Sequence, residues 1–475
     1  MSIFINRESE LQVLEERYKS NRADFLIIYG RRRVGKTELM KQFYKQKLHA
    51  YYICTKSDDV IQLKTIVRRT ADSLNERAPE INSWDEFFLY LAEKVKNKRF
   101  ILVIDEYPYL ASANTAISSI FQTGWDEYLK NTKIFLILCG SSISVMEHEL
   151  TSKSPLYGRR TGQLRIEPLL FEDSVKFFPK YNIRDKIYAY CILGNIPMYL
   201  LEFDGRTDIF SNISDKILRK DAILYEEPIF LLREELREPE RYSRIFEVIS
   251  TRGAKLNDIA TKTGIEHHKL PKYLGTLIKL NYIEKISPIT TKKPKSKQTL
   301  YLIKDNFFKF WYKYVYPYRS DIEGEDRKKV LDIIKSELNQ YTSFIFEDVC
   351  KQILKKMCKR GMLPLVFSKI GKWWGCYRDA NGRKEVDIDL TCLDEIKKEA
   401  LFMECKWSDV KEKEAEKIIE CLKEKAGFVE WERKKEFFGL FGKKIFGKEN
   451  LRKQGFVILD LDDIADTLQI YKNKK

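Results

Sequence analysis

The eight residues Gly30-Arg31-Arg32-Arg33-Val34-Gly35-Lys36-Thr37 constrain this chain more than any other segment. They fit the phosphate-loop spacing G-x-x-x-x-G-K-[ST], a pattern that carries meaning only between a strand and a helix. Both flanks comply. Phe25-Leu26-Ile27-Ile28-Tyr29 is a short apolar run suited to a buried strand, and Leu39, Met40 and Phe43 recur downstream at helical spacing. Glycine at 30 and 35 lets the backbone turn tightly, so that successive N–H groups and the following helix N-terminus point at phosphates. Arg31, Arg32, Arg33 and Val34 complete the cradle, Lys36 brings a point charge to the β- and γ-phosphates, and the Thr37 hydroxyl ligates Mg²⁺. The implied ligand is a nucleoside triphosphate, ATP with Mg²⁺.

A second element agrees with the first. Phe100-Ile101-Leu102-Val103-Ile104 is a continuous apolar run ending in Asp105-Glu106, the pattern of a Walker B segment. There Asp105 would hold the Mg²⁺ shell and Glu106 would polarise the attacking water; the plainer alternative is an acidic pair opening a turn before Pro108. Another apolar run, residues 133–139, ends in Gly140-Ser141-Ser142 and places Ser141 to sense the γ-phosphate. Strand ends are where parallel sheets put ligand chemistry.

At 475 residues the chain is too long for a single core. Strand and helix signals alternate through residue 170, with strands near 25–30, 51–55, 100–105, 133–140 and 165–169, which argues for a parallel α/β sheet. Residues 171–240 read as a small helical lid. Residues 241–305 read as three short helices with a turn at Thr263-Gly264 and a two-stranded hairpin, the outline of a winged helix-turn-helix. Pro271 marks the start of its third helix. Its wing holds Lys292, Lys293, Lys295 and Lys297, and the chain carries a formal charge of +16, so DNA is the natural acidic partner, with protein contact the rival use of such a module. Asn306 to Pro317 is densely aromatic and reads as a helix packed between domains. Nine scattered cysteines without a C-x-x-C pair, and only four histidines, argue against a disulfide frame and zinc chemistry. No signal peptide or long apolar run is evident, so a cytoplasmic protein without a membrane partner is expected.

Residues 306–475 hold a second candidate site. In Arg383-Lys384-Glu385-Val386-Asp387-Ile388-Asp389-Leu390, strand alternation puts Glu385, Asp387 and Asp389 on one face and the apolar residues on the other. Leu401-Phe402-Met403-Glu404-Cys405-Lys406 sets Glu404 and Lys406 side by side. Carboxylates around a lysine suit metal-assisted phosphodiester cleavage, in which carboxylates hold the cation; a solvated strand face is the alternative.

The segments G-R-R-R-V-G-K-T, I-L-V-I-D-E and Gly158-Arg159-Arg160 resemble the archaeal-type ATPases of the AAA+/STAND group. Gly194-Asn195-Ile196-Pro197-Met198-Tyr199-Leu200 is similar to their G-G-x-P-x-Y-L lid motif, with Asn195 where a second glycine is usual. Phe346-Glu347-Asp348-Val349, Ile370 to Trp374, Glu385 to Ile388 and Glu404-Cys405-Lys406-Trp407 resemble the domain of unknown function that accompanies these ATPases, itself similar to PD-(D/E)xK nucleases. The resemblance implies five parallel strands with the sensor strand between the Walker A and B strands. It also implies Glu347, Asp387, Glu404 and Lys406 as a nuclease-like site, and singles out Asp387 and Glu404 as the cation's ligands. Arg159 and Arg160 become candidates for contact with the γ-phosphate, in their own chain or in a neighbouring copy of a nucleotide-dependent homo-oligomer; a surface turn is the plain alternative. The fold class expected is therefore an α/β P-loop NTPase sheet with a helical lid, a winged helix-turn-helix and a C-terminal α/β nuclease-like domain. The rival outputs are a STAND-type scaffold with an inactive last domain and a nucleotide-controlled defence effector. Lys36→Ala should lower ATP turnover by roughly 100-fold or more, the scale of losing one preorganised contact to the transition state. Phosphate release at the wild-type rate would remove the loop assignment.

Overall fold

A computed structural model describes residues 4–291, 298–379 and 382–469. The chain forms two compact units, one comprising the chain up to Leu169 together with Ile196–Met198, the other Leu170–Asn195 and everything from Tyr199 onward.

The first unit is built on five strands, β1 (Asp24–Tyr29), β2 (His49–Ile53), β3 (Phe100–Asp105), β4 (Ile134–Gly140) and β5 (Gly162–Arg165). All are parallel, in the order β2-β3-β4-β1-β5. Every residue of β1, β3 and β4 is buried, as continuous apolar runs require when both faces of a sheet are covered. The sensor strand β4 lies between β1 and β3, the order that the family resemblance implies. The fifth strand comes earlier than its apolar residues suggest: Gly162 to Arg165 pair with Leu26 to Tyr29, while Ile166 and Leu169 are buried beyond the strand end. Where β1 turns into the loop, a Cβ on Gly30 would lie 2.3 Å from the Ile166 carbonyl oxygen, so only glycine fits.

The second unit opens with short helices that include Ile183–Leu193, Ile209–Lys216 and Ile223–Glu235. Helices Pro239–Ile249, Leu256–Thr263 and Leu270–Lys279 follow, then the antiparallel hairpin of β6 (Ile283–Ile286) and β7 (Leu300–Ile303). Gly264, at φ +69°, ends the second of these helices, and Pro271 sits in the first turn of the third. Ala254 bridges Tyr301 as a third, single-residue strand. This is a winged-helix arrangement; Lys292 to Lys297 of its wing lie outside the described residues.

The aromatic segment is the helix Asn306–Tyr314, started by an Asp305 cap on the N–H groups of Phe307 and Phe308. Phe307, Phe308, Phe310, Trp311, Tyr312 and Tyr314 are all buried, so packing is the role they take. Beyond the long helix Arg327–Lys359, a five-stranded sheet runs in the order β14-β12-β10-β9-β8. Its strands are β8 (Lys369–Asp379), β9 (Gly382–Asp394), β10 (Glu399–Cys405), β12 (Lys435–Phe441) and β14 (Val457–Leu459), while β11 (Asp409–Val410) and β13 (Lys444–Ile445) form a separate short pair. β8, β9 and β10 are antiparallel neighbours; β12 and β14 run parallel to β10. Leu422 and Ala426 of the helix Glu412–Gly427 join Ile388, Ala400 and Phe402 in one core, and Ala415 and Ile419 join Leu440 and Ile458 in another. Among the described residues no helix is long and apolar enough to cross a membrane.

Two substitutions test this packing. Trp311→Ala empties a fully buried site and removes the indole N–H bond to the Tyr225 carbonyl, which should cost about 3–5 kcal/mol in chemical unfolding. Gly30→Ala drives a methyl into backbone and should cost roughly 1–3 kcal/mol or more while weakening nucleotide binding in calorimetric titration.

Candidate functional site

The loop Gly30–Thr37 follows the buried end of β1 and feeds the helix Lys36–Tyr44. Its tight path shows in the backbone: Arg33 at φ +67° and Gly35 at φ +93° both occupy the left-handed region, which is unusual for a residue with a side chain such as arginine. The Lys36 ammonium is buried and donates to the Gly30 and Arg31 carbonyl oxygens at 3.0 and 2.9 Å. Arg32 reaches the Tyr109 hydroxyl at 3.4 Å, and Arg33 meets the Met198 sulfur at 3.4 Å. Val34, fully buried, offers its carbonyl oxygen to Arg7 at 3.1 Å.

Asp105 gathers the rest of this site. Its Oδ2 accepts from the Thr37 hydroxyl at 3.0 Å and from the Tyr51 hydroxyl at 2.6 Å, while Oδ1 accepts from the Glu106 N–H at 2.9 Å. Burial, reinforced by the Asp105 charge, pushes the Tyr51 phenol far above its ordinary value, so Tyr51 stays a donor. Glu106 stands at φ +53°, and its Oε2 accepts from the Ser141 hydroxyl at 2.7 Å and the Ser141 N–H at 3.3 Å. The ends of β1, β3 and β4 thus bring Lys36, Thr37, Asp105, Glu106 and Ser141 together. The oxygens of Thr37 and Asp105 are the hard donors that Mg²⁺ takes, and they fit that ion.

Arg159 is not brought to this loop. It precedes β5, whose first residue pairs with Leu26, so it sits at the amino-terminal edge of the sheet, opposite the loop. There its guanidinium pairs with Asp126 at 3.1 Å, and Arg160 bonds Gln163 at 3.2 Å. A contact between Arg159 and nucleotide in its own chain is therefore withdrawn. Two residues that the sequence reading passed over take part instead. Arg7, buried, ties the Val34 carbonyl to the Glu167 carbonyl, and Tyr51 completes the Asp105 shell. Neither belongs to a spaced motif that would have marked it.

The second site lies where β8, β9 and β10 meet, with Glu347 reaching it from the long helix and Lys425 from the helix Glu412–Gly427. Lys372 on β8 places its ammonium 3.2 Å from both Glu347 oxygens, 3.2 Å from Asp387 Oδ2 and 3.5 Å from Asp389 Oδ1. Glu404 Oε1 accepts from Lys406 at 3.1 Å and from Lys425 at 3.0 Å. Asp387 and Asp389 both reach Lys372, but a bulge between Ile388 and Thr391 interrupts the alternation, so that Ile388 and Leu393 enter the same core. The register changes the emphasis. Pairing of Leu390 with Met403 sets Asp389 level with Glu404, whereas Asp387 lies two residues further along and its side chain is 55% exposed against 13% for Asp389. Asp389 and Lys372, with Lys425, are thus the members that the motif reading left without a role.

Electrostatics follow the crowding. Burial and then the Asp389 charge raise the Glu347 carboxyl to about 7. Burial and then Glu404 raise Asp389. Burial opposes the Lys372 and Lys406 ammoniums, but the carboxylates around each more than offset it and hold both well in the charged form. Glu404 Oε2 is buried with no hydrogen-bond partner, an orphaned anionic oxygen that a divalent cation would satisfy. Asp389 and Glu404 therefore fit such an ion, while Lys372 already fills the side formed by Glu347 and Asp387. Among the described residues no three His, Cys, Asp or Glu side chains are gathered closely enough to hold a metal by themselves.

Comparison with known proteins accords with both parts. Residues 4–203 match the family described as an ATPase domain predominantly from Archaea, and residues 311–418 match one described as archaeal and bacterial proteins of unknown function. An uncharacterized protein of Methanocaldococcus jannaschii is 37% identical over 466 residues, covering 98% of this chain and 100% of the relative. An uncharacterized ATP-binding protein of the same organism is 51% identical over 45 residues, 10% of this chain and 76% of that protein. The Walker-type ATPase of Pyrococcus abyssi, 20% identical, shares the fold at a TM-score of 0.51 over 65% of this chain and 96% of its own. A phosphate loop on a five-stranded parallel sheet, an Asp105–Thr37 pair beside it and a full-length relative place this chain in the family of archaeal P-loop ATPases that carry a C-terminal domain of unknown function.

Proposed function

We propose that the chain is a Mg²⁺-dependent, ATP-hydrolysing switch whose output is DNA binding and metal-dependent DNA cleavage. One observation carries the ATPase half: Thr37, Asp105, Glu106 and Ser141 are linked in a continuous hydrogen-bonded chain at the carboxyl ends of three strands. Mg²⁺, when bound, would neutralise charge on the phosphates. Thr37 and Asp105 would hold it, Lys36 would exchange its loop carbonyls for phosphate oxygens, and Glu106 would orient the attacking water, with Ser141 fixing that carboxylate. The chain would work as four segments: an ATPase core over 1–170, a lid over 171–240, a winged helix over 241–305, and a connector with a nuclease-like domain over 306–475. Arg159 or Arg160, turned away from its own loop, would serve a neighbouring copy in a nucleotide-dependent homo-oligomer.

For the DNA half, support comes from the third helix of the winged-helix part, which presents Lys272, Gly275 and Lys279 to solvent, with His267, His268 and Lys269 exposed in the turn that precedes it. A basic face with a small residue at its centre suits close approach to phosphates and a major groove. The base of the wing also meets the carboxylate cluster: the Ile289 N–H donates to the Lys372 carbonyl at 3.1 Å, and the Trp374 indole donates to the Gln298 carbonyl at 3.1 Å. In the cluster, Asp389 and Glu404 would hold the cation, Lys406 would stabilise negative charge, and Glu347 with Asp387 would orient Lys372.

A second reading, a STAND-type scaffold with an inactive last domain, is favoured by Lys372 itself, whose ammonium stands among the carboxylates. The two readings part in one assay. Plasmid DNA incubated with Mn²⁺ or Mg²⁺, with and without ATP, should be cut by wild type. Asp389→Asn should lower the rate by roughly 100-fold or more, the scale of losing an essential electrostatic group. DNA left intact in every nucleotide state, or cut equally by Asp389→Asn and Lys406→Ala, would select the scaffold. Binding should weaken steeply with salt; a flat salt response would remove DNA as the partner.

A further inference from the structure

Lys372 does not form an ordinary ion pair. Charge-assisted N–H···O bonds settle near 2.7–2.9 Å. The Lys372 ammonium stands instead at 3.2, 3.2, 3.2 and 3.5 Å from four oxygens of Glu347, Asp387 and Asp389, shared among three carboxylates without committing to one. That is the place a cation takes in a cage of oxygens.

The backbone is shaped to put it there. The β8–β9 ladder is regular up to Gly371, paired with Thr391, and resumes at Trp373, paired with Ile388. Two residues of β9, Asp389 and Leu390, stand opposite the single Lys372, so the extra residue belongs to β9, and a bulge of this kind re-aims the side chains beside it. The Lys372 carbonyl accepts from the Ile289 N–H at 3.1 Å, so the interrupted position is pinned by the base of the wing. A lysine that merely solvated a strand face would need neither the break nor the pin.

The cluster therefore has two ends. At one, the ammonium neutralises Glu347 and Asp387. At the other, Glu404, with a side chain only 9% exposed, keeps Oε2 without a partner on the strand position level with Asp389. Lys406 and Lys425 both approach Oε1 and leave Oε2 unsatisfied.

We propose that Lys372 is a resident cation standing in for a metal ion at the Glu347–Asp387 end, so that the wild-type cluster takes a single divalent ion, at Asp389 and Glu404. This rests on the reading of the cluster as a divalent-cation site. Removing the ammonium opens the second position, and Asp389 becomes a ligand shared by two ions.

The test is Mn²⁺ binding to the full chain without nucleotide, followed by the loss of free-Mn²⁺ electron paramagnetic resonance signal. Lys372→Met should bind one more ion per chain than wild type, Lys372→Arg should match wild type, and Asp389→Asn should lose the wild-type ion. If wild type binds one ion that Asp389→Asn loses, yet Lys372→Met gains none, the resident-cation inference fails while the metal reading stands. If neither wild type nor Lys372→Met binds an ion that Asp389→Asn loses, both fail. Should Lys372→Met not fold, Lys372→Gln, which also removes the ammonium, should bind the additional ion; a stoichiometry equal to that of wild type would overturn the proposal.

Discussion

Burial of the helix Asn306–Tyr314 is the constraint on which the second unit depends. Nine residues carry six buried aromatic side chains, and they leave the helix in several directions. Phe307 packs against Tyr199, Phe308 against Phe246 and Tyr282, and Phe310 and Tyr314 against Tyr341. Trp311 bonds the Tyr225 carbonyl, and the Tyr312 hydroxyl meets Ser243 at 2.9 Å. Helices that precede Pro239, the winged helix and the long helix therefore share one core, packed as densely as organic crystals. The long helix carries Tyr341 in that core and Glu347 less than two turns later, so apolar packing sets the position of a buried carboxylate.

The nucleotide site rests on a different kind of constraint, the satisfaction of one buried carboxylate. Asp105 is 2% exposed, and three donors from three segments converge on it. Each donor is a local consequence of β1, β2 or β3 ending at the same level, which parallel pairing enforces. Glu106 is then turned by its left-handed backbone toward Ser141 at the end of β4. The left-handed backbone of Glu106 and its bond to Ser141 thus tie the end of β3 to the end of β4.

Much of this was legible because it is local. Apolar runs of five to seven residues gave β1, β3 and β4, and fixed spacing gave the phosphate loop. The period of two placed Asp387 and Asp389 on one face. What could not be read depends on register. Which of the two aspartates opposes Glu404 follows from the Leu390–Met403 pair, and that lies in no single segment. Lys372 enters through a break in the β8–β9 ladder, and Lys425 reaches Glu404 from a helix twenty-one residues on. Arg159 failed for the same reason. Its motif suggested a phosphate contact, but the pairing of Gly162 with Leu26 puts it at the wrong end of the sheet.

Lys36, buried, and Lys372, half-buried, show how similar side chains can serve opposite ends. Lys36 is held by two carbonyl oxygens, neutral dipoles that cancel little of its charge, so exchanging them for phosphate trades weak partners for strong ones. Lys372 is held by three carboxylates, and any incoming anion must compete with formal charges already in place. The first lysine stands among neutral partners that a phosphate could replace, and the second does not. Removing the Lys372 ammonium would leave three carboxylates facing one another, so its departure would call for a replacement cation, and the charge of that cluster, more than its shape, would decide what it can hold.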